Sequence, residues 1–156
     1  MVLRFWFRKD WGAKYWSKKL KPLLKPLYHP VQFVLLYYRS YYKTCRKDLT
    51  CKRAMKCIQK RHIQKFNFPD IAYNFCIGGD GVVYEGRGWV TLPQYMDLSY
   101  KEYNGNSIDI AYIGDFREGA PDYMNMAVHE LIEFGVEFGY ISPDYEVKEL
   151  TKLVKN

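Results

Sequence analysis

The stretch that decides the fold is DIAYNFCIGGDGVVYEGRGW, residues 70–89. Its apolar run over 71–77 predicts a strand, and residues 82–86 predict a second strand that returns beside the first. The four residues between them, GGDG (78–81), contain Asp-Gly, a strong signal for a tight hairpin turn. We therefore expect an antiparallel hairpin near the middle of the chain.

Further strands and helices are predicted on both sides of this hairpin. The short apolar run 31–38 is typical of a strand buried on both faces, and residues 107–116 begin with the alternation of a strand. Apolar residues recur at helical spacing over 51–65 and over 121–140, and a final short helix is expected over 147–154. The pattern predicts an α/β (mixed) fold in which helices flank a central mixed β-sheet.

The length and composition fit a single domain over residues 1–156. Apolar residues make up 48% and charged residues 26% of the chain, which excludes wholesale disorder. The longest apolar run, 33–38, is far shorter than the roughly 20 residues that a transmembrane helix needs. Residues 1–14 lack the apolar core of a secretory leader. Either a leader or an anchor precedes this sequence, or the protein stays inside the cell.

The charges are divided unevenly along the chain. Residues 1–66 hold 18 Lys and Arg against 2 Asp and Glu, whereas residues 67–156 hold 6 against 15. The basic half, and Lys52, Lys56 and Lys60 in particular, suits an anionic partner such as a glycan, a membrane surface or an acidic protein patch. Nucleic acid is the weakest of these partners because no nucleic-acid-binding motif is present. The alternative is a solvated helix face, with the two halves complementing each other.

The four cysteines lack the paired spacing of a zinc knuckle. Cys45 and Cys51 enclose a short loop that a disulfide could close, and Cys57 and Cys76 resemble small buried residues. A zinc site that combines a cysteine with the three histidines is an alternative on ligand count alone.

Several stretches point beyond the general pattern to a known family. Residues 70–89 resemble the peptidoglycan recognition protein family, whose domains are similar to phage-type N-acetylmuramoyl-L-alanine amidases. The other matching stretches follow in the same order: DWGA (10–13), the Cys45/Cys51 pair, IQKRH (58–62), YNGNSIDIAYIGDF (103–116) and LIEFGVEFGYISPDY (131–145). The resemblance implies a mixed sheet with a groove that binds the glycan and stem peptide of peptidoglycan. The disulfide it implies needs an oxidising compartment, so we expect a secreted protein or a receptor ectodomain, against a cytoplasmic one.

The resemblance also predicts that zinc chemistry is lost. In catalytic members a zinc ion on the groove floor activates water. Two of its ligand positions align with Tyr37 and Tyr95, and Tyr38 replaces the histidine that commonly follows the first ligand. The third ligand, a cysteine, would follow Asn156, in a domain shortened by its C-terminal strand and helix. A phenol with a pKa of about 10 is a poor zinc ligand at neutral pH. Tyr73 matches the catalytic tyrosine, yet we expect no enzyme, no metal and no cofactor.

The resemblance further predicts a binding site for a muropeptide. An arginine at the position of Arg87 goes with recognition of the diaminopimelic acid stem in this family. That stem has a carboxylate that lysine-type stems lack, and a guanidinium can bind it with two hydrogen bonds. The predicted ligand-binding residues are Tyr73, Arg87, Gly88, Trp89, Asn104, Tyr38 and Tyr95.

The sequence therefore predicts a non-catalytic domain that binds peptidoglycan fragments as a pattern-recognition or regulatory protein of innate immunity. The alternative is a protein-interaction module with a closed groove, which associates with another family member or a receptor ectodomain. Tyrosines on the groove floor and an unusually long segment over 90–103 favour that alternative. An anionic-polymer binder and an active zinc amidase are the remaining hypotheses.

Overall fold

The computed structural model describes residues 3–14, 19–94 and 102–151. Within these residues the strands are β1 (Phe5–Trp6), β2 (Val31–Tyr37), β3 (Phe75–Ile77), β4 (Val83–Glu85), β5 (Ser107–Tyr112) and β6 (Ile141–Leu150). The α-helices are α1 (Arg8–Trp11), α2 (Asp48–Phe66) and α3 (Asp122–Glu137), and a short 3-10 helix spans Lys21–Leu23. Among the described helices, none has the length and apolar character needed to cross a membrane.

The described strands form one mixed sheet in the order β1-β4-β3-β5-β2-β6. Strands β3 and β4 pair antiparallel, with Phe75 opposite Glu85, which confirms the predicted hairpin. The other neighbouring strands pair in parallel. Strand β3 is shorter than predicted, because the carbonyls of Tyr73 and Asn74 accept hydrogen bonds from the turn after β4 rather than from a neighbouring strand.

The C-terminal part of the chain corrects one prediction. Residues 147–150 belong to strand β6, which pairs in parallel with β2 and places Leu150 beside Tyr37. The helix predicted over 147–154 is therefore wrong over these residues. Pairing with β6 satisfies the backbone donors and acceptors along the outer edge of β2, which a short helix would leave unpaired.

Two hydrophobic layers cover the two faces of the sheet. Helix α2 packs on one face, together with Leu35 and Tyr37 of β2. Helix α3 packs on the opposite face, together with Val34 and Leu36. Because successive side chains of a strand point to opposite faces, neighbours such as Tyr37 and Tyr38 are separated by the sheet.

Helix α2 is held in place by its buried face and by a disulfide. The residues on this face recur every three or four positions: Cys51, Ala54, Met55, Ile58, Gln59 and His62. Cys45 and Cys51 form the predicted disulfide, which joins the preceding loop to the first turn of the helix. The helix ends at Phe66 and is capped by Asn67, which adopts the left-handed conformation with φ of 57°.

Candidate functional site

A group of polar side chains is buried between the sheet and α2. We define the polar cluster as Tyr37, Tyr73, Arg87 and Asp109. Their exposed fractions lie between 0% and 6%. The cluster draws on β2, on the segment before β3, on the turn after β4 and on β5. It therefore forms where the β3–β4 hairpin meets the parallel strands β5 and β2.

Tyr37 contacts two other members of the cluster. Its hydroxyl donates to Oδ2 of Asp109 over 3.4 Å, and its ring centroid lies 5.3 Å from that of Tyr73. On the neighbouring strand β6, Leu150 is its partner in register. The described neighbours of Tyr37 thus include a carboxyl group, a second phenol and a hydrocarbon side chain. Within residues 3–14, 19–94 and 102–151, no three His, Cys, Asp or Glu residues are grouped closely enough to hold a metal ion.

Asp109 is the acidic member of the cluster and has no exposed surface. The hydroxyl of Ser107 donates to its Oδ1 over 2.8 Å, in addition to the contact from Tyr37. Burial raises the pKa of Asp109 to about 7, although these two donors and the Arg87 cation favour its charged form. Asp109 is thus divided between its protonated and ionised forms near neutral pH.

Tyr73 is a neutral phenol whose ring is packed against other side chains. Burial raises its pKa above the ordinary value of a tyrosine, and its hydroxyl has no hydrogen-bond partner among the described groups. The ring of His62 lies 5.5 Å away, edge to face, and its Nδ1 accepts the backbone N–H of Ala72. Burial, reinforced by the Arg87 and Arg61 cations, lowers the pKa of His62 to about 4. At neutral pH both side chains are therefore uncharged.

Arg87 is buried but incompletely bonded. Its Nε donates to the carbonyl of Ile71 over 2.6 Å, and its Nη1 donates to the carbonyl of Leu92 over 2.8 Å. Its Nη2 is buried and has no partner among the described groups. Burial lowers the pKa of Arg87 to about 10, so the guanidinium is still charged at neutral pH. A buried cation with an unpaired donor is a natural contact for an anionic group.

The turn that holds Arg87 depends on its two flanking glycines. Gly88 has φ of 78°, which favours glycine. A Cβ on Gly86 would stand 2.2 Å from the carbonyl oxygen of Tyr73, so only glycine fits there. The side-chain amide of Asn74 donates to the carbonyl of Gly88 over 2.9 Å and fixes the turn against β3. The backbone conformation therefore requires glycine at both glycine positions of the Gly-Arg-Gly motif.

Two predicted ligand-binding residues lie on the other side of the sheet. Tyr38 packs 5.1 Å from the ring of Tyr112 and its hydroxyl donates to Glu149. Trp89 packs on Phe75 and stacks on Tyr140 at 4.8 Å, within the layer that contacts α3. The structure does not bring these two residues to the polar cluster, because the strand alternation and the turn after β4 direct them to the opposite face.

The remaining predicted residues are placed as follows. Asn104 is exposed in the turn before β5, next to Tyr103, whose ring packs 4.9 Å from Phe33. Tyr95 lies outside the described residues. Asp109 is not among the residues predicted from the sequence, although small or polar residues alternate with isoleucines over 107–111 and so mark one polar strand face.

The sequence of this chain is similar to a known family model and to several known proteins. A family model described as N-acetylmuramoyl-L-alanine amidase matches residues 27–154. The chain is 32% identical over 155 residues to peptidoglycan-recognition protein LC of Drosophila melanogaster, which covers 99% of this chain and 28% of that protein. It is 36% identical over 105 residues to peptidoglycan recognition protein 1 of Bos indicus, covering 67% of this chain and 54% of the relative. The chain thus spans about half, or less, of the length of these curated relatives.

Solved structures match over nearly the whole chain. A Drosophila PGRP-LB variant in complex with tracheal cytotoxin superposes with a TM-score of 0.83 at 30% identity, covering 98% of this chain and 86% of that chain. One chain of a complex of the PGRP-LCa and PGRP-LCx ectodomains with tracheal cytotoxin superposes with a TM-score of 0.83 at 26% identity, covering 94% and 84%. These similarities confirm the predicted α/β fold with its mixed sheet.

Proposed function

Because this chain belongs to the peptidoglycan recognition protein family of amidase-like domains, we propose that it is a non-catalytic recognition domain that binds peptidoglycan fragments in innate immunity. The observation that supports this proposal best is the buried Arg87 guanidinium, whose Nη2 has no hydrogen-bond partner among the described residues. A charged group with a free donor, fixed by two backbone carbonyls, is suited to binding a carboxylate rather than to chemical catalysis. The ligand we propose is a muropeptide of the diaminopimelic acid type.

The surroundings of Tyr37 support the non-catalytic part of the proposal. A catalytic zinc needs three protein ligands and one open position. Tyr37 offers a phenol that contacts Asp109, and its partner in register on β6 is Leu150, whose side chain cannot bind metal. These residues do not fit a zinc ion. Tyr73 keeps its proton at neutral pH, because burial raises the pKa of its phenol.

We expect the purified protein to retain no stoichiometric zinc and to release no stem peptide from peptidoglycan. The protein is saturated with zinc, dialysed and submitted to metal analysis, and the same sample is assayed for amidase activity. A catalytic member of the family, treated in parallel, serves as the positive control for both measurements. One zinc per chain, with hydrolysis that a chelator abolishes, would contradict the proposal.

Access to Arg87 sets a condition for binding. Because Nη2 is buried, a ligand carboxylate reaches it only if the residues that cover it move aside. The carboxylate would then accept a charge-assisted hydrogen bond from Nη2 in a site with little water, where such a bond is stronger than in water. Asp70 and Asp109 both favour the charged form of the guanidinium, and Asp109 does so only in part because it is partly protonated near neutral pH. These features favour a ligand with an extra carboxylate.

We expect saturable binding that prefers a diaminopimelic muropeptide over a lysine-type muropeptide by about tenfold, the value of one hydrogen bond to a charged group. Substitution of Arg87 by lysine keeps the charge but loses the fork of donors, and should abolish this preference. Calorimetric titration of both ligands measures it, with Arg117→Lys as a matched control because Arg117 pairs with Asp115 on the surface. Equal affinities of the wild type for both ligands would overturn the role of Arg87.

A second candidate function is favoured by the burial of the polar cluster. Tyr37, Tyr73 and Arg87 are at most 6% exposed, which suits a domain whose groove is closed and whose partner is another protein. The related PGRP-LCa and PGRP-LCx ectodomains form a complex with each other and tracheal cytotoxin. Flat titrations of a folded sample, together with association with a second family ectodomain, would favour this function. For either function we propose an extracellular location, which the Cys45–Cys51 disulfide supports.

A further inference from the structure

The outer face of α2 presents a row of cations that plays no part in the polar cluster. The helix contains six Lys and Arg residues and one acidic residue, Asp48. Arg53, Lys56 and Lys60 are exposed, and their spacing of three and four places them on one face. None of the three makes an ion pair with a described residue, so their charges face solvent.

A cleft at the start of α2 extends this row. Its volume is about 570 Å³, and its walls combine cations with apolar side chains: Arg4, Arg46, Lys47, Phe5, Trp6 and Val82. Arg46 and Lys47 immediately precede the helix, and neither makes an ion pair in the part of the chain that the structure describes. A cleft with both apolar and cationic walls suits a ligand that has a ring and an anionic group together.

The two acidic residues that line the cleft are already engaged. Asp48 accepts a hydrogen bond from Nε1 of Trp6 over 2.7 Å and pairs with Lys52 over 3.0 Å. Asp80 accepts the hydroxyl of Tyr84 over 2.6 Å. The charge of Asp48 therefore offsets that of Lys52, and Asp80 is held by the hydroxyl of Tyr84. Neither carboxylate pairs with Arg46 or Lys47 in the described part of the chain, so these two cations are available to a ligand.

We propose that Arg46, Lys47, Arg53, Lys56 and Lys60, here named the basic track, bind a linear anionic glycan. The cations follow the helix axis for about 10 Å from Arg53 to Lys60, which suits a chain with repeated charges rather than a single small anion. The apolar walls of the cleft favour a sugar polymer over bare polyphosphate. The acidic α3 lies on the opposite face of the sheet and directs a polyanion to the α2 side.

The test is a titration of the oxidised protein with a fluorescently labelled heparin oligosaccharide as the probe, over salt concentrations from about 50 to about 200 mM. Five neutralised contacts should give a slope of log affinity against log salt of about −3.5. The triple variant R53Q/K56Q/K60Q should weaken binding at least tenfold at low salt and reduce the magnitude of the slope by about 2. Polyphosphate of equal charge should bind more weakly than the oligosaccharide.

The matched control is K19Q/K21Q/K25Q, which removes the same charge from exposed lysines outside the track. The proposal is supported if this control binds like the wild type. It is overturned if the control loses as much affinity as the track variant, because binding would then follow net charge alone. It is also overturned if the wild type shows no salt dependence, or if polyphosphate or DNA of equal charge binds as tightly as the glycan.

Discussion

Replacing Asp70 by alanine is expected to lower the free energy of unfolding by about 3–5 kcal/mol, the cost of breaking a buried ion pair. The Asp70 side chain has no exposed surface and lies 2.9 Å from Nη1 of Arg8. Its Oδ1 also accepts hydrogen bonds from Nε2 of Gln59 over 2.9 Å and from the backbone N–H of Ile71 over 2.7 Å. One carboxylate thereby joins α1, α2 and the segment that leads into the central hairpin.

The expected loss arises from the groups left behind as much as from the pair itself. Without Asp70, the largely buried Arg8 guanidinium and the amide of Gln59 lose a charged acceptor that water cannot fully replace. Asp70→Asn keeps an oxygen acceptor without the charge, and should recover part of the loss. Urea unfolding followed by circular dichroism measures these differences.

A surface pair provides the control for this experiment. Asp115 is about half exposed and pairs with Arg117 over 2.8 Å. Asp115→Ala should cost less than about 1 kcal/mol, because water and salt screen an exposed pair. If the Asp70 and Asp115 variants lose similar amounts of stability, the buried carboxylate does not join the helices to the hairpin as we describe.

The elements that the sequence predicted well are those decided by local chemistry. The Asp-Gly turn and its flanking apolar runs specify the hairpin, and the three-and-four spacing of residues such as Met55 and Ile58 specifies α2. Strand β6 depends instead on pairing with β2, which is more than a hundred residues earlier in the chain. No local pattern in residues 147–150 reports that partner, so the helix prediction failed there.

The site was predictable by residue type but only partly by position. The resemblance directed attention to Tyr37, Tyr73 and Arg87, which do lie in one cluster. It did not reveal that Tyr38 and Trp89 are on the opposite face. Strand alternation separates Tyr38 from Tyr37, whereas the position of Trp89 depends on how the turn after β4 is directed. Nor could the resemblance reveal the burial of Arg87, whose Nε and Nη1 donate to the carbonyls of Ile71 and Leu92.

The buried polar side chains also give the protein a specific dependence of stability on pH. The pKa of Asp109 is about 7 in the folded protein, against an ordinary value of 3.8. Between these values the folded protein keeps a proton that the unfolded chain has released, so stability falls as pH rises from about 4 to about 7. The pKa of His62 is about 4 in the folded protein, against 6.5, so its contribution has the opposite sign and rises over nearly the same range.

The two contributions should nearly cancel in the wild type between pH of about 4 and about 6.5, since each amounts to roughly 3 kcal/mol. Asp109→Asn removes only the first, and the amide oxygen can still accept the hydroxyl of Ser107. The variant should therefore lose on the order of 3 kcal/mol more stability than the wild type when pH falls through this range. Urea unfolding at several pH values measures the difference between the two curves.

An exposed carboxylate again supplies the control, since Asp115→Asn removes a group whose pKa is lowered by its hydrogen bonds with Arg117 at the surface. That variant should follow the wild-type curve closely, because the solvent screens the charge of Asp115. If Asp109→Asn also runs parallel to the wild type, then Asp109 is ionised throughout this range. In that case Asp109 adds a full negative charge beside Arg87, in addition to Asp70, and the affinity of Arg87 for the extra carboxylate of a diaminopimelic stem must be weaker than we propose.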